Sequence, residues 1–253
     1  MKKIVLYFFC VLYVTSCTTK KDIVYFQDIK NKQQSQVQYV VPKIQVNDIL
    51  NVNVSALNPE AVAPFNQQYV NFGTQSDTNM KLRGYLVSAE GNIVFPIVGK
   101  IKLLGSTPEE AEEIIKNILV SKGLLVEPVV SVRLLNGKIT ILGDISNPGT
   151  YPYSEQNITL LQALGYASDL SISGIRKDIL VIREENGTLT YGHIDMTKTD
   201  WFDSPYYYIK QNDVIYVYPN GPKIKSAGYL TNLSTVLSVV ASSITLILLI
   251  TRL

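Results

Sequence analysis

The segment Thr107-Pro108-Glu109-Glu110-Ala111-Glu112-Glu113-Ile114-Ile115-Lys116-Asn117-Ile118-Leu119 carries the start signals of an α-helix and the apolar rhythm of a buried one. Thr107 suits the N-cap, Pro108 the first helical position, and Glu110 the reciprocal bond of a capping box. Glu109, Glu110, Glu112 and Glu113 lie where the helix dipole favours negative charge. Ala111, Ile114, Ile115, Ile118 and Leu119 fall on one face, and Gly123 suits the stop. A helix over Pro108–Ser121 is therefore expected. Capping and solvation account for all four carboxylates, so none is assigned to acid/base catalysis.

On both sides of this helix the apolar period changes to two. Upstream, Asn51-Val52-Asn53-Val54 alternates like a strand, Asn47-Asp48 reads as a turn, and residues 58–81 read as a loop insertion. Gly84-Tyr85-Leu86-Val87 and Ile93-Val94-Phe95-Pro96 flank Glu90-Gly91-Asn92 and predict a hairpin. Downstream, strands over 129–135 and 139–143 are joined by Asn136-Gly137, a hairpin-turn signal. Asn147-Pro148-Gly149 leads into Thr150-Tyr151-Pro152-Tyr153, and Thr159 caps a short helix ending at Tyr166. Ile179-Leu180-Val181-Ile182 pairs with residues 189–194 across Glu185-Asn186-Gly187. Gln211-Asn212-Asp213 announces the last strand, Val214-Ile215-Tyr216-Val217-Tyr218. Short strands interspersed with two or three helices place the chain in the α+β class.

Composition narrows the chemistry. The 253 residues carry a net charge of +2 and no Lys/Arg cluster, so nucleic acid is not expected as a partner. Hydrophobic residues reach 46% against 17% charged, and the excess sits at the two ends. No metal-ligand spacing or phosphate-binding loop is present, so no catalytic, metal or cofactor site is expected. His193 stands alone in Tyr191-Gly192-His193-Ile194-Asp195, on a predicted strand, and reads as structural. Tyr206-Tyr207-Tyr208 could stack on sugar rings, although tyrosines on strands more often fill cores.

Lys2 and Lys3 precede an apolar run over residues 4–14, the length of a signal-peptide core and too short to span a bilayer. Val14-Thr15-Ser16-Cys17 then resembles a bacterial lipobox, which makes residues 1–16 a lipoprotein signal peptide and Cys17 the lipidation site. Two or three acyl chains at about 0.8 kcal/mol per CH₂ anchor a protein stably. Cys10 and Cys17 are too close to staple a fold. Residues 17–38 read as a polar, lipidated tether with one short apolar cluster, Ile23 to Phe26. At the other end, residues 230–250 carry no charge and are expected to form a C-terminal transmembrane helix. Thr231, Ser234, Thr235, Ser238, Ser242 and Thr245 recur along one stripe of it. That stripe reads either as pore lining or helix packing, or as hydroxyls bonded to their own backbone in a plain anchor.

These residues resemble a known family. Val46-Asn47-Asp48-Ile49-Leu50, Gly91-Asn92-Ile93-Val94-Phe95-Pro96, Gly105-Ser106-Thr107-Pro108-Glu109-Glu110-Ala111 and Pro128-Val129-Val130-Ser131-Val132 are similar to the polysaccharide export domain of Wza-like proteins. Gly143-Asp144-Ile145-Ser146-Asn147-Pro148-Gly149, Leu160-Leu161-Gln162-Ala163-Leu164 and Gln211-Asn212-Asp213-Val214 are similar to a soluble-ligand-binding β-grasp domain. Two departures stand out: the family's Gly-Asp is Asn47-Asp48 here, and its Ala-Gly-Gly is Ala167-Ser168-Asp169.

The resemblance implies a polysaccharide export domain over 39–136, one β-grasp domain over 137–222, and the C-terminal helix. It also implies an outer-membrane, lipid-anchored homo-oligomer, a ring typically of eight copies, with its soluble domains in the periplasm. The C-terminal helices would assemble an α-helical barrel. Capsular polysaccharide or exopolysaccharide would pass along the axis, received from an inner-membrane polysaccharide copolymerase or tyrosine autokinase. The alternative is a non-transporting periplasmic sugar-binding or scaffold lipoprotein.

Overall fold

A computed structural model of the chain describes residues 20–32, 34, 39–66, 84–185, 187–226 and 233–250. The expected signal peptide and Cys17 lie outside the described residues, as does most of the loop insertion.

The first part of the chain wraps one hydrophobic core. Strand β1 (Ile49–Ser55) is the middle of a three-stranded sheet, between β2 (Tyr85–Leu86) and β5 (Val129–Leu134). β1 and β5 run antiparallel from Leu50↔Leu134 to Ser55↔Val129, with Leu50, Val52, Val54, Val130 and Val132 turned inward. A short helix, α1 (Pro59–Val62), follows β1, and β3 (Asn92–Phe95) pairs with β4 (Gly99–Lys102) as a separate hairpin. Helix α2 (Pro108–Ser121) closes this core. Its capping box is complete: Glu110 N–H donates to Thr107 Oγ1 at 3.2 Å, and Thr107 N–H donates to Glu110 Oε2 at 2.8 Å. Ala111, Ile115 and Leu119 are fully buried and Ile114 and Ile118 partly so. Glu112 reaches across to accept the Val132 N–H at 2.9 Å, so the helix occupies the outer edge of β5.

The second part wraps another core. Its sheet has five strands in the order β10-β9-β12-β6-β7: β6 (Lys138–Gly143), β7 (Gly149–Pro152), β9 (Gly174–Glu185), β10 (Thr188–Ile194) and β12 (Val214–Pro219). β12 is parallel to β6, and every other neighbouring pair is antiparallel. A two-stranded ladder of β8 (Ile158–Thr159) and β11 (Tyr208–Ile209) lies beside α3 (Leu160–Tyr166), which is capped by Thr159 and Gln162 as α2 is by Thr107 and Glu110. Gly143, at φ +92°, lies so close to β12 that a Cβ would come within 2.0 Å of the Val217 carbonyl oxygen.

Several expectations need correction. Asn136-Gly137 does not turn a hairpin, because β5 and β6 belong to different sheets. Asn136 instead spends its side chain on the first core, accepting from Ile49 N–H and donating to the Asn47 carbonyl, while Gly137 already accepts from Tyr153 N–H in the second. The Gly91 turn forms, with Gly91 N–H on the Ser88 carbonyl, but β2 pairs with β1 and β3 with β4 rather than β2 with β3. The tether is docked over residues 20–32: Phe26 and Gln27 N–H groups donate to the Met196 and Thr197 carbonyls, and Lys32 pairs with Asp203 at 2.9 Å.

The largest correction concerns the C-terminus. Helices α4 (Gly221–Ser226) and α5 (Leu233–Ile250) follow β12, and no helix among the described residues is long and apolar enough to cross a membrane. Over the described residues α5 runs from Leu233 to Ile250, about 27 Å at 1.5 Å per residue. Ser238, Ser242, Ser243 and Thr245 further dilute its apolar surface. The described residues thus have mixed α/β content, and the C-terminal transmembrane helix expected from residues 230–250 is not found among them.

The two departures from the family pattern have a backbone explanation. Asn47 adopts φ +69°, and Ser168 and Asp169 adopt +59° and +67°. These are left-handed conformations that glycine takes freely and that asparagine or aspartate tolerates better than serine. Ser168→Gly is therefore expected to stabilise the protein by about 0.5–1 kcal/mol, net of the hydrogen bond its hydroxyl accepts from Asn147. Denaturant unfolding of the variant beside the wild type measures this.

Candidate functional site

The two cores meet through buried polar groups. The left-handed turn at Asn47 points Asp48 inward, where it is almost inaccessible. One carboxylate oxygen accepts Gln45 N–H at 2.8 Å, and the other accepts Gln211 Nε2 from the far core at 2.8 Å. The turn before β12 supplies Gln211, with Asn212 left-handed at φ +63°. Two further contacts brace the junction. Gln156, ahead of β8, donates to Glu109 of α2 at 2.6 Å and accepts the Tyr39 hydroxyl at 3.0 Å. The Tyr39 ring meets Tyr208 edge-on at 6.1 Å.

Two residues beyond Gln211, Asp213 is anchored by Arg183 of β9. Arg183 Nε and Nη2 donate to the carboxylate at 3.0 and 2.7 Å, Nη2 also donates to the Tyr208 carbonyl, and Nη1 donates to the Pro205 carbonyl. Both side chains are buried, at 4% and 1% exposure, so removing either would strand a charge. The Tyr206 ring covers the guanidinium at 5.0 Å. Gly192 of β10 makes that possible, since a Cβ there would lie 2.4 Å from the Tyr206 ring. Burial pushes the Tyr153 phenol well up, and the nearby carboxylates of Asp213 and Asp48 add to it.

The residues singled out in the sequence fall elsewhere. Glu109, Glu110, Glu112 and Glu113 are each engaged, by Gln156, the cap, Val132 and Lys116 respectively. His193 lies exposed on β10 against Asp178 at 2.6 Å. Tyr206, Tyr207 and Tyr208 are half-buried and serve Arg183, the Trp201–Phe202 cluster and Tyr39. Of the Ser/Thr stripe, Thr231 lies outside the described residues, as do the side chains of Ser234 and Thr235; Ser238 lies on α5. Ser242 and Thr245 donate to the Val239 and Ala241 carbonyls of their own helix. Among the described residues no group of His, Cys, Asp and Glu could hold a metal ion.

Reading the sequence missed Asp48, Gln211 and Arg183 as a junction. Arg183 had a local signal, because it continues the inward positions Ile179 and Val181 and so had to be buried with a partner. Asp48 and Gln211 had none, being 163 residues apart.

Desolvation pushes the Asp48 carboxyl up from 3.8 to about 6, against the pull of its Gln45 and Gln211 donors. With the folded value above the unfolded one, this group favours folding below about pH 4, and that contribution is lost as pH rises through about 6. Asp48→Asn keeps the shape, with Gln211 free to turn its amide. The variant should therefore gain about 2–3 kcal/mol over the wild type between pH 4 and 7, as read by thermal unfolding across that range.

Residues 34–135 match the family model described as polysaccharide biosynthesis/export protein, a span that takes in the whole of the first core from β1 to β5. The chain is also 30% identical over 139 residues to the EPS I polysaccharide export outer membrane protein EpsA of Ralstonia solanacearum, covering 52% of this chain and 36% of the relative. It is 33% identical over 92 residues to the capsule polysaccharide export outer membrane protein CtrA of Neisseria meningitidis serogroup A, covering 36% of this chain and 23% of the relative. The chain thus spans about a third or less of the length of these curated relatives. Over residues 34–135 the chain is thus similar to the polysaccharide biosynthesis/export protein family.

Proposed function

We propose that the chain is an outer-membrane lipoprotein that exports capsular polysaccharide or exopolysaccharide as part of an oligomeric translocon. The observation that carries this reading is the coincidence of the family match with a complete folded core. The names of the relatives, both polysaccharide export outer membrane proteins, support it. Acyl chains on Cys17 hold each copy at the membrane, with the two cores on its periplasmic side. Several copies surround the path of the polymer, and an inner-membrane polysaccharide copolymerase or tyrosine autokinase delivers it. The protein supplies a passage and a docking surface rather than a reaction.

Helix α5 fits this reading as a contact between copies. Leu237, Val239, Val240, Ile244, Leu249 and Ile250 are all exposed in the single chain, an arrangement that helices of several copies packed along the Ser238–Ser242–Thr245 stripe would relieve. Lys223 of α4 donates to the buried Asp144 at 2.6 Å, and Asn220 N–H donates to the Ser173 carbonyl, so α4 is fixed to the second core just before α5.

Deleting the gene in its native host should abolish surface polysaccharide while polymer accumulates inside the envelope. Wild-type complementation should restore it, and Cys17→Ser should not, while also losing palmitate label and membrane fractionation. Full surface polymer in the deletion strain, measured by immunoblot of whole cells, would contradict the reading.

A further inference from the structure

Among the described residues, the five-stranded sheet has one face packed into a core and one bare of any core packing. Ile139, Ile141, Ile179, Val181, Ile215 and Val217 form the covered face and belong to the second core. Alternation sends their neighbours Leu142, Leu180, Ile182, Val214, Tyr216 and Tyr191 to the other side. None of these six belongs to either core, and Tyr191 is 60% exposed. The registers Tyr191↔Ile182, Val214↔Ile182 and Tyr216↔Leu180 set them side by side in rows. The unbroken apolar runs at 179–182 and 214–218 follow from this, since strands read that way when both faces are meant to be buried.

Charge is confined to the margins of this face. Lys138 and Glu184 lie on the same side at one end, exposed and without an ion pair among the described residues. His193 and Asp178 pair with each other near the other end. An apolar centre inside a polar rim is the anatomy of a protein–protein interface. Five strands at about 4.8 Å spacing and about 20 Å of strand length give about 500 Å² of flat area before side-chain relief. That is the greater part of the ~800 Å² per partner of a standard stable interface.

We propose that this bare face is the contact surface for a second copy of the chain. The proposal rests on the oligomeric reading above and names the surface through which the two cores of one copy meet the next. A polysaccharide is a poorer occupant, because Leu180, Ile182 and Val214 at the centre carry no hydrogen-bonding group and the nearby hydroxyls of Thr140 and Thr150 bond to each other at 3.1 Å. Leu57, Val126 and Val129, toward the Ser55↔Val129 end of β1 and β5, are also exposed but are fewer.

The test uses the full-length, lipidated chain extracted in mild detergent and weighed by native mass spectrometry, with circular dichroism as the folding control. The wild type should be multi-copy. Ile182→Lys, and Tyr191→Glu at the exposed edge strand, should each weaken association on dilution about tenfold or more with unchanged dichroism. Val94→Lys on the other core, also exposed, should leave the assembly intact. If Ile182→Lys misfolds, Tyr191→Glu decides. Folded variants that assemble like the wild type would overturn the proposal while leaving the oligomeric reading standing. Unchanged assembly with lost retention of purified polysaccharide would overturn it in favour of a sugar platform. A monomeric wild type would overturn the oligomeric reading and this proposal together.

Discussion

One carboxylate at the boundary of two hydrophobic cores fixes how this molecule is built. Asp48 belongs to the first core by sequence and to the second by its bond with Gln211. Burying it opposes its charge, yet two donors are aimed at it, and they come from different cores. Such a group specifies geometry more than it adds stability: the oxygens are satisfied in one arrangement of the two cores and stranded in others. Asn136 acts alongside it, since its amide holds Asn47 and Ile49 while the next residue, Gly137, is already held by Tyr153. The connection between the cores is therefore short, with adjacent residues bonded to opposite cores.

The junction also explains why the second core needs a buried ion pair. Gln211 can meet Asp48 only if the turn over 211–213 is held still, and Arg183 does so by gripping Asp213 from the neighbouring strand. Tyr206 shields that pair from water, and Gly192 gives Tyr206 the room. The aromatic residues that suggested sugar stacking are thus largely structural supports. For a protein whose proposed work is to hold a passage open rather than to react, rigidity between cores is the relevant property.

Much of the fold was legible because its signals are local. The capping boxes at Thr107 and Thr159, the inward alternation of β1 and β12, and the β9–β10 hairpin are written within a few residues of where they act. What failed depended on distant partners. Asn136-Gly137 looked like a hairpin turn because its two flanking strands alternate correctly, and only the pairing of β5 with β1 shows that they part there. The docking of Phe26 on the second core has one local signal, the apolar cluster over residues 23–26, which does not say where it docks. The C-terminal segment misled in another way: absence of charge over residues 230–250 permits a span without requiring one, and no helix among the described residues is long and apolar enough to cross a membrane. The candidate site was least legible, because Asp48 and Gln211 each sit in a turn that a turn reading fully explains.

The central claim is that the two cores move as one body because of the Asp48–Gln211 junction. Spin labels placed through Lys100→Cys on β4 and Thr188→Cys on β10 report the distance between the cores directly by double electron–electron resonance. The account predicts a single narrow distance distribution for the otherwise wild-type chain, and a broad one when Gln211→Ala is added. A broad distribution without that substitution, or a narrow one unchanged by it, would contradict the account.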